Sequence, residues 1–257
     1  MDQLLEATYA AEQRHFWYRG FARFVQPLLE RAGSGLLAPR ILDCGCGTGA
    51  NLLRLEHYGR ASGFDLTWRG LQFARQLGLR RIAQASAASI PFATGTFDIV
   101  TSFDVLYCLP EKSERSAIAE MHRVLKPGGA LLVNVAALDM LRGDHSVLGG
   151  EVRRYTTHLL RARLERGGFQ VLRVTYTNAV LFPLVAVARA WQRLRGLRQD
   201  TTRGDFAVPP APINAALAGL LALEATALKW VNMPVGSSVL CLARKGRAAP
   251  LTVPSPR

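Results

Sequence analysis

Residues Ile41 to Asn51 read ILDCGCGTGAN, an aspartate followed by three glycines at alternate positions, Gly45, Gly47 and Gly49. The run before them suits a buried strand and the run after them, ANLLRLEHYG, a helix. The glycines therefore form a strand-to-helix turn, where an open α/β sheet binds its ligand. Missing side chains let backbone amides approach a flat, polar molecule. A dinucleotide fold spaces its glycines G-x-G-x-x-G, so that a pyrophosphate meets the helix N-terminus. Here the third glycine comes four residues after the first and the aspartate precedes the set, which favours a cofactor without a pyrophosphate. The next strand ends in Phe64-Asp65, a carboxylate placed to accept from both hydroxyls of an unphosphorylated ribose. An adenosine-bearing ligand fits both features.

Around this turn the chain alternates. RILDC, ASGFDL, RRIAQAS, FDIVTSFDVL and GALLVNVAA read as strands separated by helical stretches, and FQVLRVTY and SSVLCLARK add a sixth and a seventh. Right-handed βαβ crossovers then imply a doubly wound, mostly parallel seven-stranded sheet, an α/β fold. Residues 2–32 read as one helix ahead of it. The division expected is an N-terminal helical lid (1–36), a cofactor-binding domain (37–177 and 237–246), an apolar helical insert between the last two strands (178–236) and a tail (247–257). The insert is open to three readings: roof of an acceptor pocket, membrane-facing element or dimer contact. Its apolar runs fall short of the roughly twenty residues needed to span a bilayer.

In five further respects the chain resembles the class I S-adenosylmethionine-dependent methyltransferases, their small-molecule branch in particular: ILDCGCGTG, GFDL, SIPFATGTFDIV, SFDVLYCL and RVLKPGG occur in the family's order. The likeness covers about residues 38–136 and implies a Rossmann-like methyltransferase fold with S-adenosyl-L-methionine as cofactor. It places Asp43, Gly45, Cys46, Gly47 and Gly49 at the methionine portion and ribose, Asp65 at the ribose hydroxyls, Leu66 beside the adenine, Ser86 and Ala87 at its edge, and Phe103 as a wall. Ser86 stands where the family often has an acid, and Cys108 where many members have histidine. The segment HFWYRGFARF resembles the N-terminus of a bacterial subgroup, which implies that Trp17 and Tyr18 cover the cofactor; an amphipathic helix on the sheet is the alternative.

An activated methyl group mainly requires alignment and exclusion of water, with a general base where the acceptor is a hydroxyl or an acidic carbon. The catalytic candidates are His145 beside Asp144, Asp104 just past the fourth strand, and Tyr155, with Arg153 and Arg154 to bind a polar or anionic acceptor. The alternative is a surface loop at Asp144-His145 and a helix cap at Arg154-Tyr155. Cys44, Cys46, Cys108 and Cys241 have neither disulfide nor zinc spacing, so reduced thiols and no metal are expected. The opening residues lack a signal-peptide core, which points to the cytoplasm, or to the inner face of a membrane as a peripheral protein. The net charge is +13, and residues 153–203 hold eleven arginines against two acids. Such a stripe suits phosphates, anionic lipid or an anionic substrate, or is a solvated surface. The partners expected are a small-molecule or lipid-like acceptor, a membrane surface and a second copy. Nucleic acid is disfavoured because no RNA module is appended. RNA methylation and a non-catalytic cofactor-binding subunit are the alternatives.

Overall fold

The computed structural model describes residues 2–197 and 207–246, with side chains from residue 5 onward. In chain order the elements are α1 (Asp2–Ala11), α2 (Phe16–Gly33), β1 (Arg40–Cys44), α3 (Ala50–Leu55), β2 (Arg60–Asp65), α4 (Trp68–Gln76), β3 (Ile82–Gln84), β4 (Phe97–Phe103), α5 (Glu111–Val124), β5 (Leu125–Ala136), α6 (Asp144–Leu148), α7 (Thr157–Arg166), β6 (Phe169–Thr177), α8 (Phe182–Leu194), α9 (Ala211–Ala227) and β7 (Ser238–Lys245). Single 3-10 turns occupy Leu106–Cys108 and Asp139–Leu141.

The strands form one seven-stranded sheet in the order β3-β2-β1-β4-β5-β7-β6. The first five are parallel, whereas β7 runs antiparallel between β5 and β6. Strand order reverses between β1 and β4, so the glycine turn after β1 lies at the topological switch point, beside the carboxyl ends of both strands. Alternation sends Ile41, Ile99 and Leu132 to one face and Leu42, Val100 and Val133 to the other. Ile118, Met121, Leu160 and Leu164 from α5 and α7 cover the second face. On the first lie Val25 and Leu28 of α2, Leu52 and Leu55 of α3, and Leu71 of α4.

Two expectations need correction. Residues 2–32 are two helices: the chain breaks at Glu12–His15, where the His15 Nδ1 accepts from the Trp17 amide at 3.2 Å and caps α2. The two apolar helical stretches of the insert are also packed differently rather than as one unit. Helix α9 belongs to the core, with Leu221, Ala225 and Leu228 buried against α2. A Cβ added at Gly20 would lie 2.3 Å from Leu221 Cδ1, so glycine sets the closeness of the α2–α9 approach. Asn214 of α9 bonds both sides of the α1–α2 break, donating to the Arg14 carbonyl and accepting from the Phe16 amide, each at 2.8 Å. Helix α8 has no buried residue.

Candidate active site

Two carboxylates converge on the glycine turn. Asp43, at the end of β1, is buried and accepts from Thr101 Oγ1 at 2.7 Å. Burial lifts its carboxyl to about 7; the threonine bond opposes the rise and the charge of Asp65 adds to it. A bound positive charge would favour the ionised form of Asp43. Asp65, at the end of β2, accepts from the Gly47 amide through Oδ2 (2.8 Å) and from the Thr67 amide and hydroxyl through Oδ1 (2.8 and 2.5 Å). Both Oδ1 lone pairs are thus engaged, so Asp65 has room for one ribose hydroxyl on Oδ2 rather than for two.

The turn itself is shaped for a flat ligand. Gly45 has φ 81°, and a Cβ there would meet Val105 Cγ2 at 2.3 Å. Gly47 has φ 51° and open space on its side-chain side, with no atom within 4 Å. Gly49 caps α3 in the left-handed region. Leu66 is 69% exposed beside Asp65, Phe103 is buried at the end of β4, and Ala87 is buried past β3. The hydroxyl oxygen of neighbouring Ser86 accepts from the Ala88 amide at 3.2 Å, which leaves its proton to donate. Cys46 packs as a buried thiol whose pKa is raised, first by burial and then by the charges of Asp43 and Asp65. A bare peptide edge, a ribose-facing carboxylate and a buried acid in need of a cation fit an adenosine-bearing cation.

The N-terminal segment straps this turn. Glu12, at the α1–α2 break, is buried and accepts from Thr48 Oγ1 at 2.5 Å. Its carboxyl is raised by burial, against the Thr48 bond and the charge of Arg54. Tyr18, half-buried, feels both Glu12 and Asp104, and its hydroxyl is raised by burial before either charge. The segment thus reaches from the glycine turn toward the end of β4. Trp17 is half-buried with its ring edge-on to Phe16, and Phe21 meets Phe103 edge-on at 5.1 Å. Glu12 carries no signal in the sequence, where it reads as one more acid on a helix. Replacing it by alanine is expected to free the strap, raising amide exchange in residues 5–20 by at least about tenfold, the worth of one charge-assisted hydrogen bond; mass-spectrometric exchange checks this.

Asp104 caps β4 at φ 62°, a left-handed conformation rare outside glycine. Asn134 holds it there, donating from Nδ2 to Oδ1 at 2.9 Å while its carbonyl accepts the Asp104 amide at 3.0 Å. Asp104 is exposed, and neighbouring protein raises its carboxyl to about 7, first by desolvation and further by the charge of Glu151, against the Asn134 bond and the charge of Arg154. Tyr107 stands in the same cluster, its hydroxyl raised by burial and then by Asp104.

The remaining candidates are placed elsewhere. Tyr155 is wholly buried and donates to Glu114 Oε1 at 2.6 Å, so its hydroxyl is bound within the core and is not a catalytic group. Arg153 donates to Glu114 Oε2 (2.6 Å) and to the Leu109 carbonyl (2.7 Å). Arg154 forms a two-pronged pair with Glu151 (2.8 and 3.0 Å) and donates to the Ala137 carbonyl and to Ser146 Oγ. Neither guanidinium is available to an acceptor without breaking a buried pair. His145 is half-buried on α6, and the neighbouring Asp144 accepts from Arg195 at the end of α8. Among the described residues no cluster of ligating side chains gathers for a metal ion, and no helix is long and apolar enough to cross a membrane. The four cysteines are unpaired.

Comparison with known proteins agrees with this geometry. Residues 42–133 match a family model described as a methyltransferase domain. A malonyl-[acyl-carrier protein] O-methyltransferase of Enterobacter lignolyticus is 34% identical over 40% of this chain and 41% of its own length. A ubiquinone/menaquinone biosynthesis C-methyltransferase of Syntrophotalea carbinolica is 36% identical over 51% of this chain and 55% of its own. The chain thus spans about half the length of the curated relatives it matches. Among solved structures, phosphoethanolamine N-methyltransferase 2 of Haemonchus contortus in complex with S-adenosyl-L-methionine superposes with a TM-score of 0.61, covering 96% of this chain and 58% of that one at 17% identity, which speaks to the fold. The glycine turn, the two strand-end carboxylates and the match to a methyltransferase domain thus fall on the same residues, 42–133.

Proposed function

We propose that the chain transfers the methyl group of S-adenosylmethionine to a small or lipid-like acceptor. The observation that carries this reading is Asp104, a solvent-reached carboxylate held at the end of β4, next to the glycine turn and under the N-terminal segment. Bound S-adenosylmethionine supplies a methyl group already activated by its sulfonium. Asp43, Gly45, Cys46, Gly47, Gly49, Asp65, Leu66, Ser86, Ala87 and Phe103 would hold it, and the cationic centre would favour the ionised form of Asp43. Trp17 and Tyr18, on the strap, exclude water from the cleft. With Oδ1 occupied by Asn134, Asp104 receives the acceptor's proton on Oδ2; a carboxyl near 7 suits a general base at neutral pH.

The acceptor class draws on two relatives, whose names give an acyl-carrier-bound malonyl group and a quinone biosynthetic carbon. Against RNA, Arg153, Arg154, Arg163 and Arg173 of the basic stripe are engaged internally, with Glu114, Glu151, Glu114 and the Leu228 carbonyl respectively. The test incubates the full chain with methyl-labelled S-adenosylmethionine and separate lipid, small-metabolite, protein and RNA fractions. Label in the lipid or metabolite fraction is expected; label in RNA overturns the acceptor, and cofactor binding with no labelled fraction overturns the enzyme. Asp65→Ala is expected to weaken cofactor binding by at least about tenfold, since it removes a charge-assisted contact and the clamp on Gly47. Calorimetry showing unchanged affinity would displace the ribose from β2.

A further inference from the structure

Helix α8 is turned inside out. Leu184, Val187, Trp191 and Leu194 are 63, 70, 67 and 84% exposed, and their spacing of three, four and three residues sets them in one stripe along the helix. The side that faces the protein is mixed, with Phe182, Val185 and Ala186 half-buried beside Arg189 and Gln192. A Cβ built at Gly143 would lie 2.3 Å from Gln192 Oε1 and 2.5 Å from Arg189 Cδ, and the Asp144 amide donates to Gln192 Oε1 at 3.3 Å. A surface helix normally buries its apolar side, so this stripe is built to be covered by something outside the fold.

We infer that the α8 stripe docks the protein on an anionic lipid bilayer. Charge selects this occupant. Over residues 178–197 and 207–236 the sole acid is Glu224, and it is buried, accepting from the amides of Ala179 and Val180. Arg193 lies exposed on the same helix, Arg195 adjoins its end, and the whole chain carries +13. Apolar residues including a tryptophan, on a helix whose Arg193 is exposed and whose following Arg195 pairs with Asp144, resemble helices that lie in a membrane interface, and anionic head groups attract the chain's overall positive charge. A second copy fits less well. Four side chains are far short of the roughly 20–30 residues per side of a stable interface, and a two-fold pairing would bring like-charged arginines together.

The position of the stripe connects it to the site. Helix α8 packs on the Asp139–Leu141 turn and on α6, which follow the carboxyl end of β5 at the cofactor side of the sheet. A bilayer under α8 therefore lies beside the cleft from which a lipid-like acceptor would enter. Only this last point rests on the proposed acceptor; the docking does not.

The test is co-sedimentation of the full chain with vesicles of phosphatidylcholine alone and of phosphatidylcholine with phosphatidylglycerol. Partition onto the anionic vesicles is expected to be at least about tenfold the greater, and the double variant Val187→Glu/Trp191→Glu should lower it at least about tenfold. Thermal melting and calorimetry with S-adenosylmethionine report whether the variant is folded; Leu194→Ser, a milder change at the most exposed position, serves if it is not. Equal neglect of both vesicles by the wild-type chain, or partition that both variants leave intact, overturns the inference. So does a dimer seen by sedimentation equilibrium that the double variant dissolves while vesicles are ignored. Vesicle binding with no label transferred to lipid or small metabolite overturns the acceptor reading and leaves docking standing.

Discussion

Asp104→Asn is expected to lower turnover by roughly a hundredfold or more while changing the affinity for S-adenosylmethionine by less than about threefold. Asparagine keeps the size of the side chain and an oxygen to accept from Asn134, yet it takes up no proton. The pH profile adds a readout that a structural role would not move. A base acts when ionised, so the wild-type rate should climb as pH passes upward through the region near 7 where Asp104 loses its proton, and the variant's profile should lose that limb. Asp43 is raised to about 7 as well, but it lies against the glycine turn, so its ionisation belongs in the KM for the cofactor. Steady-state kinetics from pH 6 to 9 separate the two. An Asp104→Asn enzyme with full turnover would remove Asp104 from the proton path.

Glu114→Ala is expected to destabilise the fold by about 3–5 kcal/mol, the range found when one partner of a buried ion pair is removed. Glu114 is completely buried at the start of α5. It receives Arg153 and Tyr155 at 2.6 Å each, and also Arg163. Alanine would leave two guanidinium groups and a phenol facing an emptied carboxylate site. For a chain of this size the loss is equivalent to roughly 10 °C in melting temperature, measured by circular dichroism. A shift of a degree or two would mean that the cluster relaxes onto solvent.

The sequence exposed the parts of this molecule whose physics is local. Alternation of two residues placed the strands, glycines at fixed spacing placed the turn, and Asp43 and Asp65 followed because strand ends are adjacent to it. What escaped depends on contacts distant in the chain. Arg153, Arg154 and Tyr155 look like acceptor ligands in sequence because their partners, Glu114 and Glu151, stand on other elements or across a turn. Glu12 meets Thr48 thirty-six positions away, and nothing in its neighbours marks it. The two apolar stretches of the insert read alike, because composition does not tell a helix that packs on α2 from one that faces outward. Asp104 was legible by its place after β4; its strained backbone and its Asn134 partner were not.

The antiparallel strand β7 has a consequence for how the chain is made. Along its length strand β6 ladders with β7, which fills the gap between it and β5. On a ribosome, where synthesis runs from the N-terminus, β6 can pack on α7 but must wait for its ladder partner until β7 has emerged. The Asn214 latch across the α1–α2 break imposes a similar delay on α1 and α2, whose break at residues 14–16 is tied only once α9 has been made. A nascent chain halted before α9 would therefore have its glycine turn without the Asn214 bonds that secure the segment strapping it.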